Sequence, residues 1–395
     1  MKKTRRKPIS TDRTLAYAQD VVDGKVVAGP HVRNACRRHI DDLKRTDGIR
    51  FDLDAAGRAI GFFETVLLLS DGQFDGKPFT LHPSQAFIIG SLFGWKRGDG
   101  TRRFRRAYIE QGKGNGKTPL SAGIALYGLV GCGESGAEIY SAASKREQAS
   151  VMFRDAVRMV QKSKLLSSRL EMSGGAGKEY NIAYLTRGSF FRMASRDTGK
   201  TGSGPRPYFV LADEVHEMLD RTILETLERG FKFRREPMLV MTTNSAASRT
   251  CIAREEHEHA IRCAAGNHDA VTDPTYLGEI IDDNTFSYVC ALDPGDDPLT
   301  DESCWEKANP LLGVTISRKY LADVVAQAKA IPGQLNGILR LHFCVWTDSS
   351  TAWMARATLE PRICEFQPVR GAKTWLGLDL SQVRDITALA AVQRQ

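Results

Sequence analysis

Residues 105–120 read RRAYIEQGKGNGKTPL and predict a strand, a glycine-rich loop and a helix in direct succession. The strand signal is the apolar run at 107–109, and a helix-compatible apolar run extends over 120–130. Between them, the loop ends in Gly-Lys-Thr at 116–118. This layout is typical of a phosphate-binding loop, in which backbone N–H groups and a helix N-terminus face a polyphosphate.

Individual loop residues can be assigned roles from their chemistry. Lys117 is expected to reach the β- and γ-phosphates of a nucleotide, and the Thr118 hydroxyl is expected to bind Mg²⁺. The usual pattern, G-x-x-x-x-G-K-[ST], has a glycine where this sequence has Gln111, and an ordinary glycine turn is the alternative interpretation. The predicted nucleotide-binding residues of the loop are Gly112, Gly114, Asn115, Gly116, Lys117 and Thr118.

A second motif lies at 207–217, which reads PYFVLADEVHE. Its continuous apolar run predicts a buried parallel strand, and an acidic pair follows at the strand's carboxyl end, where α/β sheets place ligands. This is a Walker B pattern, in which Asp213 is expected to hold Mg²⁺ and Glu214 to orient and activate the attacking water. An acidic strand end without function is the alternative, and the loop 96 residues earlier favours the nucleotide site.

The run MLVMTTN at 238–244 predicts another buried strand that ends in polar residues. Thr242, Thr243 and Asn244 are expected beside the end of the Walker B strand. On chemistry alone they favour a strand-to-loop cap over a functional role.

Length and composition set broad limits. The 395 residues are 42% hydrophobic and 26% charged, as in ordinary globular proteins, and are enough for two or three domains. No apolar run is long enough to span a bilayer, and no signal peptide is visible. Eight cysteines occur without a C-x-x-C pair, which argues against a disulfide framework and a zinc ribbon and indicates a reducing, intracellular setting.

The positive charge is concentrated at the start of the chain. Residues 1–50 carry 13 Lys/Arg and 6 Asp, which accounts for nearly all of the formal charge of +8. A basic arm of this kind often meets nucleic acid, although a solvated tail is an equally good interpretation. Residues 1–30 are expected to be flexible, and 31–46 are expected to form a basic helix.

From about residue 30 to its end, the chain resembles the large terminase subunits of tailed bacteriophages, the DNA-packaging motors. The motifs that carry the resemblance stand in the family's order. They are LHPSQAFIIGSLFGW (81–95), QGKGNGKT (111–118), YSAASKREQA (140–149), VLADEVHE (210–217), TTN (242–244), WEKANP (305–310), LNGILRLHFCVW (335–346) and LGLDLSQVRD (376–385).

The resemblance implies further roles. Gln85 takes the place of the glutamine that reads the adenine base, and Lys113 takes the place of an early basic residue, more often Arg, that acts on the γ-phosphate. Residues 242–244 match the coupling motif that links hydrolysis to movement. Asp379 would be the first metal-binding acid of a ribonuclease-H-like nuclease that uses Mg²⁺ or Mn²⁺, with Asp385 a second acid in the following turn.

The expected fold is α/β, a P-loop ATPase of the additional-strand type with a central, mostly parallel sheet flanked by helices. The expected division is a basic arm and helix at 1–50, an ATPase domain at 51–350, a linker at 351–372 and the first strands of the nuclease at 373–395. Because few residues follow the linker, we expect the nuclease to be incomplete and inactive in this chain.

The resemblance implies an ATP- and Mg²⁺-dependent motor in the cytoplasm of the bacterial host. Five copies would form a ring on the portal protein and push double-stranded DNA into a procapsid, while a small terminase subunit chooses the DNA. Two alternatives remain. One is a helicase-like translocase outside packaging, which would need further helicase motifs after 244. The other is a decayed prophage remnant that binds nucleotide without turnover.

Overall fold

The structure is a computed structural model, and it describes residues 12–144, 146–194, 204–218, 220–247, 251–266, 282–347, 367–379 and 388–393. The chain divides into two compact units, Met1–Thr351 and Ala352–Gln395. In the first unit the helices are α1 (Arg13–Val22), α2 (Pro30–Asp42), α3 (Leu53–Val66), α4 (Pro83–Gly94), α5 (Lys117–Val130), α6 (Arg146–Lys162), α7 (Lys164–Ser167), α8 (Thr222–Glu228), α9 (Ile252–Ala265), α10 (Trp305–Ala308), α11 (Arg318–Ala330) and α12 (Leu335–Phe343).

The strands of the first unit form a small pair and one large sheet. The pair is β1 (Ile49–Phe51) with β2 (Trp95–Arg97). The sheet contains β3 (Arg106–Glu110), β4 (Glu138–Ala142), β5 (Glu171–Ser173), β6 (Asn181–Tyr184), β7 (Ser189–Met193), β8 (Pro207–Asp213), β9 (Met238–Thr243) and β10 (Thr285–Val289).

The large sheet has eight strands in the order β10-β3-β9-β8-β4-β7-β6-β5. The strands from β10 to β7 run parallel, and β6 and β5 extend the sheet antiparallel. Strand β9 lies between the loop strand β3 and the Walker B strand β8. This insertion defines the additional-strand type of ATPase sheet and confirms the predicted fold class.

Both faces of the sheet are covered by apolar side chains. Along β8, Phe209 and Leu211 pack into the larger core cluster, whereas Val210 and Ala212 pack into a second cluster on the opposite face. Because successive strand residues point to opposite faces, a sheet buried on both sides needs such a continuous apolar run. That run is the signal that made β8 predictable.

The N-terminal region differs from the predicted arm. Residues 13–22, expected to be flexible, form α1, whose Tyr17, Ala18 and Val21 are buried in the main core. The basic helix α2 is neutralised in part, since Arg38 contacts Asp42 and Asp283 and Arg33 pairs with Asp293 at 2.5 Å. Sequence charge could not distinguish a helix that binds nucleic acid from one whose cations are paired within the fold.

In the second unit, β11 (Thr374–Asp379) and β12 (Ala388–Gln393) form an antiparallel pair, as the sequence predicted. Asp379 stands within an apolar run, which on sequence alone favours a buried position. It is instead exposed at the last residue of β11. Asp385 lies outside the described residues. No helix in the described part of the chain has the length and apolar character needed to cross a bilayer.

Candidate nucleotide site

The glycine-rich loop lies at the carboxyl edge of the parallel strands, between β3 and α5. Gly114 and Gly116 have φ angles of +89° and +69°, which side chains rarely tolerate, so glycine is required at both turns. Gly116 directly precedes α5, and the first N–H groups of a helix have no acceptor within it. The loop and the start of α5 therefore present backbone donors suited to phosphate oxygens.

Lys117 is the first residue of α5, and its side chain folds back under the loop. Its ammonium donates to the carbonyls of Gln111 (2.8 Å) and Gly112 (3.2 Å) and to Oδ1 of Asn244 (2.6 Å). Burial lowers the pKa of Lys117, and the opposing charges of Glu214 and Asp213 offset part of that effect. A buried cation solvated only by neutral oxygens is well placed to accept an anionic ligand.

Asp213, at the end of β8, is the group best suited to a metal ion. Its carboxylate accepts from the Thr118 hydroxyl (3.1 Å) and from the Thr242 hydroxyl (2.7 Å). Burial, together with the neighbouring Glu214, raises its pKa. A desolvated carboxylate beside a hydroxyl is an oxygen donor set that fits Mg²⁺, because the cation would relieve the cost of burying the charge.

Glu214 leaves the strand in a strained conformation, with φ at +50°. Nδ1 of His216 lies 3.2 Å from its Oε2. Burial alone would raise the pKa of Glu214, but the His216 ring and the charges of Lys117 and Lys113 outweigh it and hold the pKa below the usual value. Glu214 is therefore ionised at neutral pH, as a group that orients water must be.

The polar residues at the end of β9 contact both motifs, although their chemistry alone had favoured a strand cap. Thr242 bonds Asp213, and Asn244 accepts from Lys117. The Thr243 hydroxyl accepts from the backbone N–H of His216 (3.0 Å), and its carbonyl accepts from that of Gln111 (3.2 Å). Because β9 lies between β3 and β8, its end touches the loop and the acidic pair at once.

Gln85 lies on α4, beside a cleft of about 810 Å³ that also borders Gly116 and Thr118. Its Oε1 accepts from the backbone N–H of His82, within the cap of the helix. If position 116 carried a Cβ atom, that atom would lie 3.2 Å from Nε2 of Gln85. The phosphate loop therefore passes close to the Gln85 amide. Gln85 is therefore placed at the mouth of a cleft that has room for a nucleoside.

Two loop residues predicted to bind nucleotide are bonded to protein groups. The N–H of Gly112 donates to the Ala308 carbonyl (3.0 Å), and the Asn115 amide is bonded to Gly112 and Asn309. Gly112 and Asn115 thus hold the shape of the loop through bonds to protein groups in this structure.

Lys113 is exposed at the loop. Burial is the main cause that lowers the pKa of His342 to about 4, and the charge of Lys113 contributes to the same effect.

Sequence reasoning missed two residues that touch this site. His216 follows Glu214 by two positions, and a histidine this close to a Walker B pair is the signal that was available. Asn309 lies in WEKANP, a motif noted only for its resemblance. Its contact with Asn115 joins positions 194 residues apart, which no local pattern could reveal.

Many P-loop ATPases complete their site with an arginine from a neighbouring copy, and the basic loop and turn of this sequence offer Arg196, Arg206, Arg234 and Arg235 as candidates. Arg206 and Arg234 flank the amino-terminal ends of β8 and β9, opposite the loop. Arg234 is held by Glu134 (3.1 Å) and by the carbonyl of Gly136. Arg235 donates to the Asp99 carbonyl (3.0 Å). Arg196 lies outside the described residues.

The nuclease site predicted around Asp379 is not assembled in the part of the chain that the structure describes. No group of three or more His, Cys, Asp or Glu residues able to hold a metal occurs there. Asp379 is the one acid that the structure describes in the second unit, and one exposed carboxylate is too few for the two-metal chemistry of a ribonuclease-H-like site.

Two family models match the chain. Residues 83–262 match the model described as the terminase large subunit, ATPase domain, and 279–395 match that of the endonuclease domain of the same subunit. Together they cover about three quarters of the chain. The endonuclease match begins within the first compact unit.

Individual relatives agree with the family models. The chain is 25% identical over 342 residues to the large terminase subunit of Enterobacteria phage HK97. The aligned region covers 84% of this chain and 61% of that protein. It is 23% identical over 199 residues to the protein YmfN of Escherichia coli K12, covering 50% and 41%. The crystal structure of the HK97 large terminase superposes with a TM-score of 0.60, covering 86% of this chain and 64% of the other. The chain thus spans less than two thirds of the length of the HK97 protein.

Proposed function

Because this chain belongs to the terminase large subunit family, we propose that its loop site hydrolyses ATP and so drives double-stranded DNA into a procapsid. The observation that supports this most is the convergence of Lys117, Thr118, Asp213 and Glu214 at one edge of the sheet. The intact set of groups favours turnover over the decayed-remnant alternative. ATP hydrolysis measured with and without DNA tests the proposal.

Each residue contributes a defined part to the proposed reaction. The loop N–H groups and Lys117 would bind the phosphates, exchanging the bonds of Lys117 to Gln111 and Asn244 for bonds to the nucleotide. Thr118 and Asp213 would hold Mg²⁺, which when bound supplies charge neutralisation at the β- and γ-phosphates. Glu214 would accept a hydrogen bond from water and align it with the γ-phosphate.

Lys113 and Gln85 are proposed to complete the site. Lys113 is exposed at the loop and close enough to Glu214 to lower its pKa, so it can approach the γ-phosphate from the solvent side. A lysine there acts as a point charge and lacks the fixed fork of the arginine more usual in the family. Gln85 would read the base through its amide in the neighbouring cleft.

The partners are proposed from the family alone. They are double-stranded DNA, the portal protein, the small terminase subunit and four further copies of this chain in a ring, within the cytoplasm of the bacterial host. Concatemer cutting, with Asp379 as one metal-binding acid, is likewise proposed from the family. We retain 1–50, 51–350, 351–372 and 373–395 as the proposed divisions, supported near residue 350 by the separation of compact units after Thr351.

Coupling between hydrolysis and movement is proposed to pass through the end of β9. Thr242→Ala or Asn244→Ala should leave ATP binding nearly unchanged and reduce DNA translocation more than hydrolysis, because these side chains bond Asp213 and Lys117 from the strand between them. Translocation and hydrolysis would be measured on the same preparations. Thr226→Ala, whose hydroxyl bonds the Thr222 carbonyl of its own helix α8, controls for the loss of a threonine hydroxyl. Parallel loss of both activities would indicate a structural strand cap.

Binding of DNA by the basic arm can be tested by its salt dependence. Residues 1–11 hold five Lys/Arg and no acid, whereas Arg13 is already paired with Glu64 at 2.7 Å. If these five cations contact phosphates, deleting residues 2–11 should reduce the slope of log affinity against log salt by up to about 4.5. Replacing the five by Gln, which keeps the length, should have the same effect. An unchanged slope would assign the arm another role.

A further inference from the structure

A hydrogen-bonded pair of side chains, Asn115 within the phosphate loop and Asn309 directly after α10, fixes the loop, and we call this pair the clamp. Asn115 donates from Nδ2 to the Gly112 carbonyl and to Oδ1 of Asn309, both at 2.9 Å. Its Oδ1 accepts from the backbone N–H of Leu311 at 3.0 Å. Both side chains are almost fully buried. The tip of the loop is therefore tied to the segment that contains the WEKANP motif.

Asn309 has equally complete bonding. Its Nδ2 donates to the carbonyl oxygens of His342 (2.8 Å) and Trp305 (3.2 Å), while its Oδ1 accepts from Asn115. Each amide nitrogen thus uses both of its hydrogens on oxygen acceptors. These bonds fix the orientation of both amides, and they need the two donor hydrogens that a carboxylate lacks.

Backbone bonds place the loop against the same elements. The N–H of Gly112 donates to Ala308 (3.0 Å) and that of Lys113 donates to Leu341 (2.6 Å). A side-chain carbon at position 112 would lie 2.4 Å from Oδ1 of Asn309, so only glycine lets the loop approach the clamp this closely. The α10 turn and α12 therefore contact the loop through both backbone and side chains.

We propose that Asn309 is a positioning residue for the nucleotide site: with Asn115 it holds the phosphate loop in its binding shape before nucleotide arrives. A glycine-rich loop without such a tie would sample many conformations and would have to be ordered by the ligand. The clamp does not contact the acidic pair, since neither amide touches Asp213 or Glu214 among the described residues, and it meets Lys117 only through the Gly112 carbonyl that both bond. Loss of the clamp should therefore lower the affinity for nucleotide, and by a similar factor for nucleoside di- and triphosphates.

The proposal predicts that loss of the clamp weakens nucleotide binding while the turnover rate stays nearly unchanged. That the nucleotide is ATP or ADP rests on the proposed function. Asn309→Ala and Asn309→Asp should each raise the KM for ATP and the Kd for ADP by a similar factor, about tenfold, because fewer molecules have a competent loop. The rate constant kcat should stay within about twofold. Asn181→Asp is the matched control, because this buried amide bonds Ser173 and Arg192 on the distant antiparallel edge.

A double-mutant cycle tests whether the two amides act together. Asn115→Ala with Asn309→Ala should weaken ADP binding no more than the more damaging single change, since either one removes the clamp. Additive effects, or a loss of kcat at unchanged KM, would overturn the proposal.

Hydrogen exchange on the wild-type chain tests the clamp even if the variants fail to fold. The amides of Gly112 and Lys113 should exchange slowly without nucleotide and change little when ADP is added. Fast exchange that becomes slow only with ADP would show that the ligand orders the loop, and would overturn the proposal. If the chain binds no nucleotide at all, the proposed function fails, while slow exchange in the unliganded loop would still support the clamp.

Discussion

Glu214→Gln is expected to bind ATP about as tightly as the wild-type chain and to hydrolyse it roughly 10²–10⁴-fold more slowly. The substitution keeps the size of the side chain and removes the negative charge that orients water. Lys117, Thr118 and Asp213, which would hold the phosphates and Mg²⁺, are unchanged. Binding of a fluorescent nucleotide and steady-state phosphate release measure the two properties on one preparation.

The geometry around Glu214 explains why binding should survive. The positive φ angle turns this residue away from the line of β8, while Asp213 remains bonded to Thr118 and Thr242. Glutamine can still contact His216, so the local turn keeps its partner. Glu171→Gln removes a charge from an exposed side chain on β5, at the far edge of the sheet, and should leave hydrolysis unchanged. Hydrolysis by Glu214→Gln at the wild-type rate would mean that another group activates water.

Lys117→Ala is expected to lose both binding and turnover. The ammonium is the buried cation of the loop, and its charge-assisted bonds to phosphate are worth roughly 1.5–3 kcal/mol, about 10–100-fold in nucleotide affinity. Removing it also leaves Asp213 and Glu214 without their nearest buried positive charge. Turnover should fall roughly a further 10²-fold because the developing charge on the γ-phosphate is no longer neutralised.

Lys164→Ala is the appropriate control for Lys117→Ala, since Lys164 is an exposed lysine at the start of α7. It should bind and hydrolyse ATP as the wild type does. Lys117→Arg would show whether a positive charge alone is sufficient for nucleotide binding. The oxygens of Gln111, Gly112 and Asn244 lie close to the ammonium and leave little space for the larger guanidinium. If Lys117→Ala bound nucleotide with wild-type affinity, the loop would not be the element that binds the phosphates.

The sequence alone was sufficient to predict those elements whose structure is determined by local patterns. Apolar runs predicted β3, β8 and β9, because strands buried on both faces need them. The placement of Lys117, Thr118, Asp213 and Glu214 at one edge follows from parallel strands, whose carboxyl ends share that edge. Asn244 beside Lys117 follows from the same rule once the strand order is known.

Other features depend on contacts between residues far apart in the chain. The pairing of Asn115 with Asn309 is visible only after the segment following β10 returns to the loop. Helix α1 places Tyr17, Ala18 and Val21 at helical spacing toward the core, a pattern that was overlooked because the basic charge of residues 1–50 suggested a flexible arm. For Asp379, the surrounding leucines suggested burial, whereas β11 and β12 form an isolated pair with exposed side chains.

The rate of ATP hydrolysis by the unmodified chain, measured with Mg²⁺ in the presence and absence of double-stranded DNA, tests the central proposal most directly. A packaging ATPase should release phosphate in a Mg²⁺-dependent reaction that double-stranded DNA accelerates. Nucleotide binding without release of phosphate under either condition would contradict the account, and would identify the chain as a nucleotide-binding remnant.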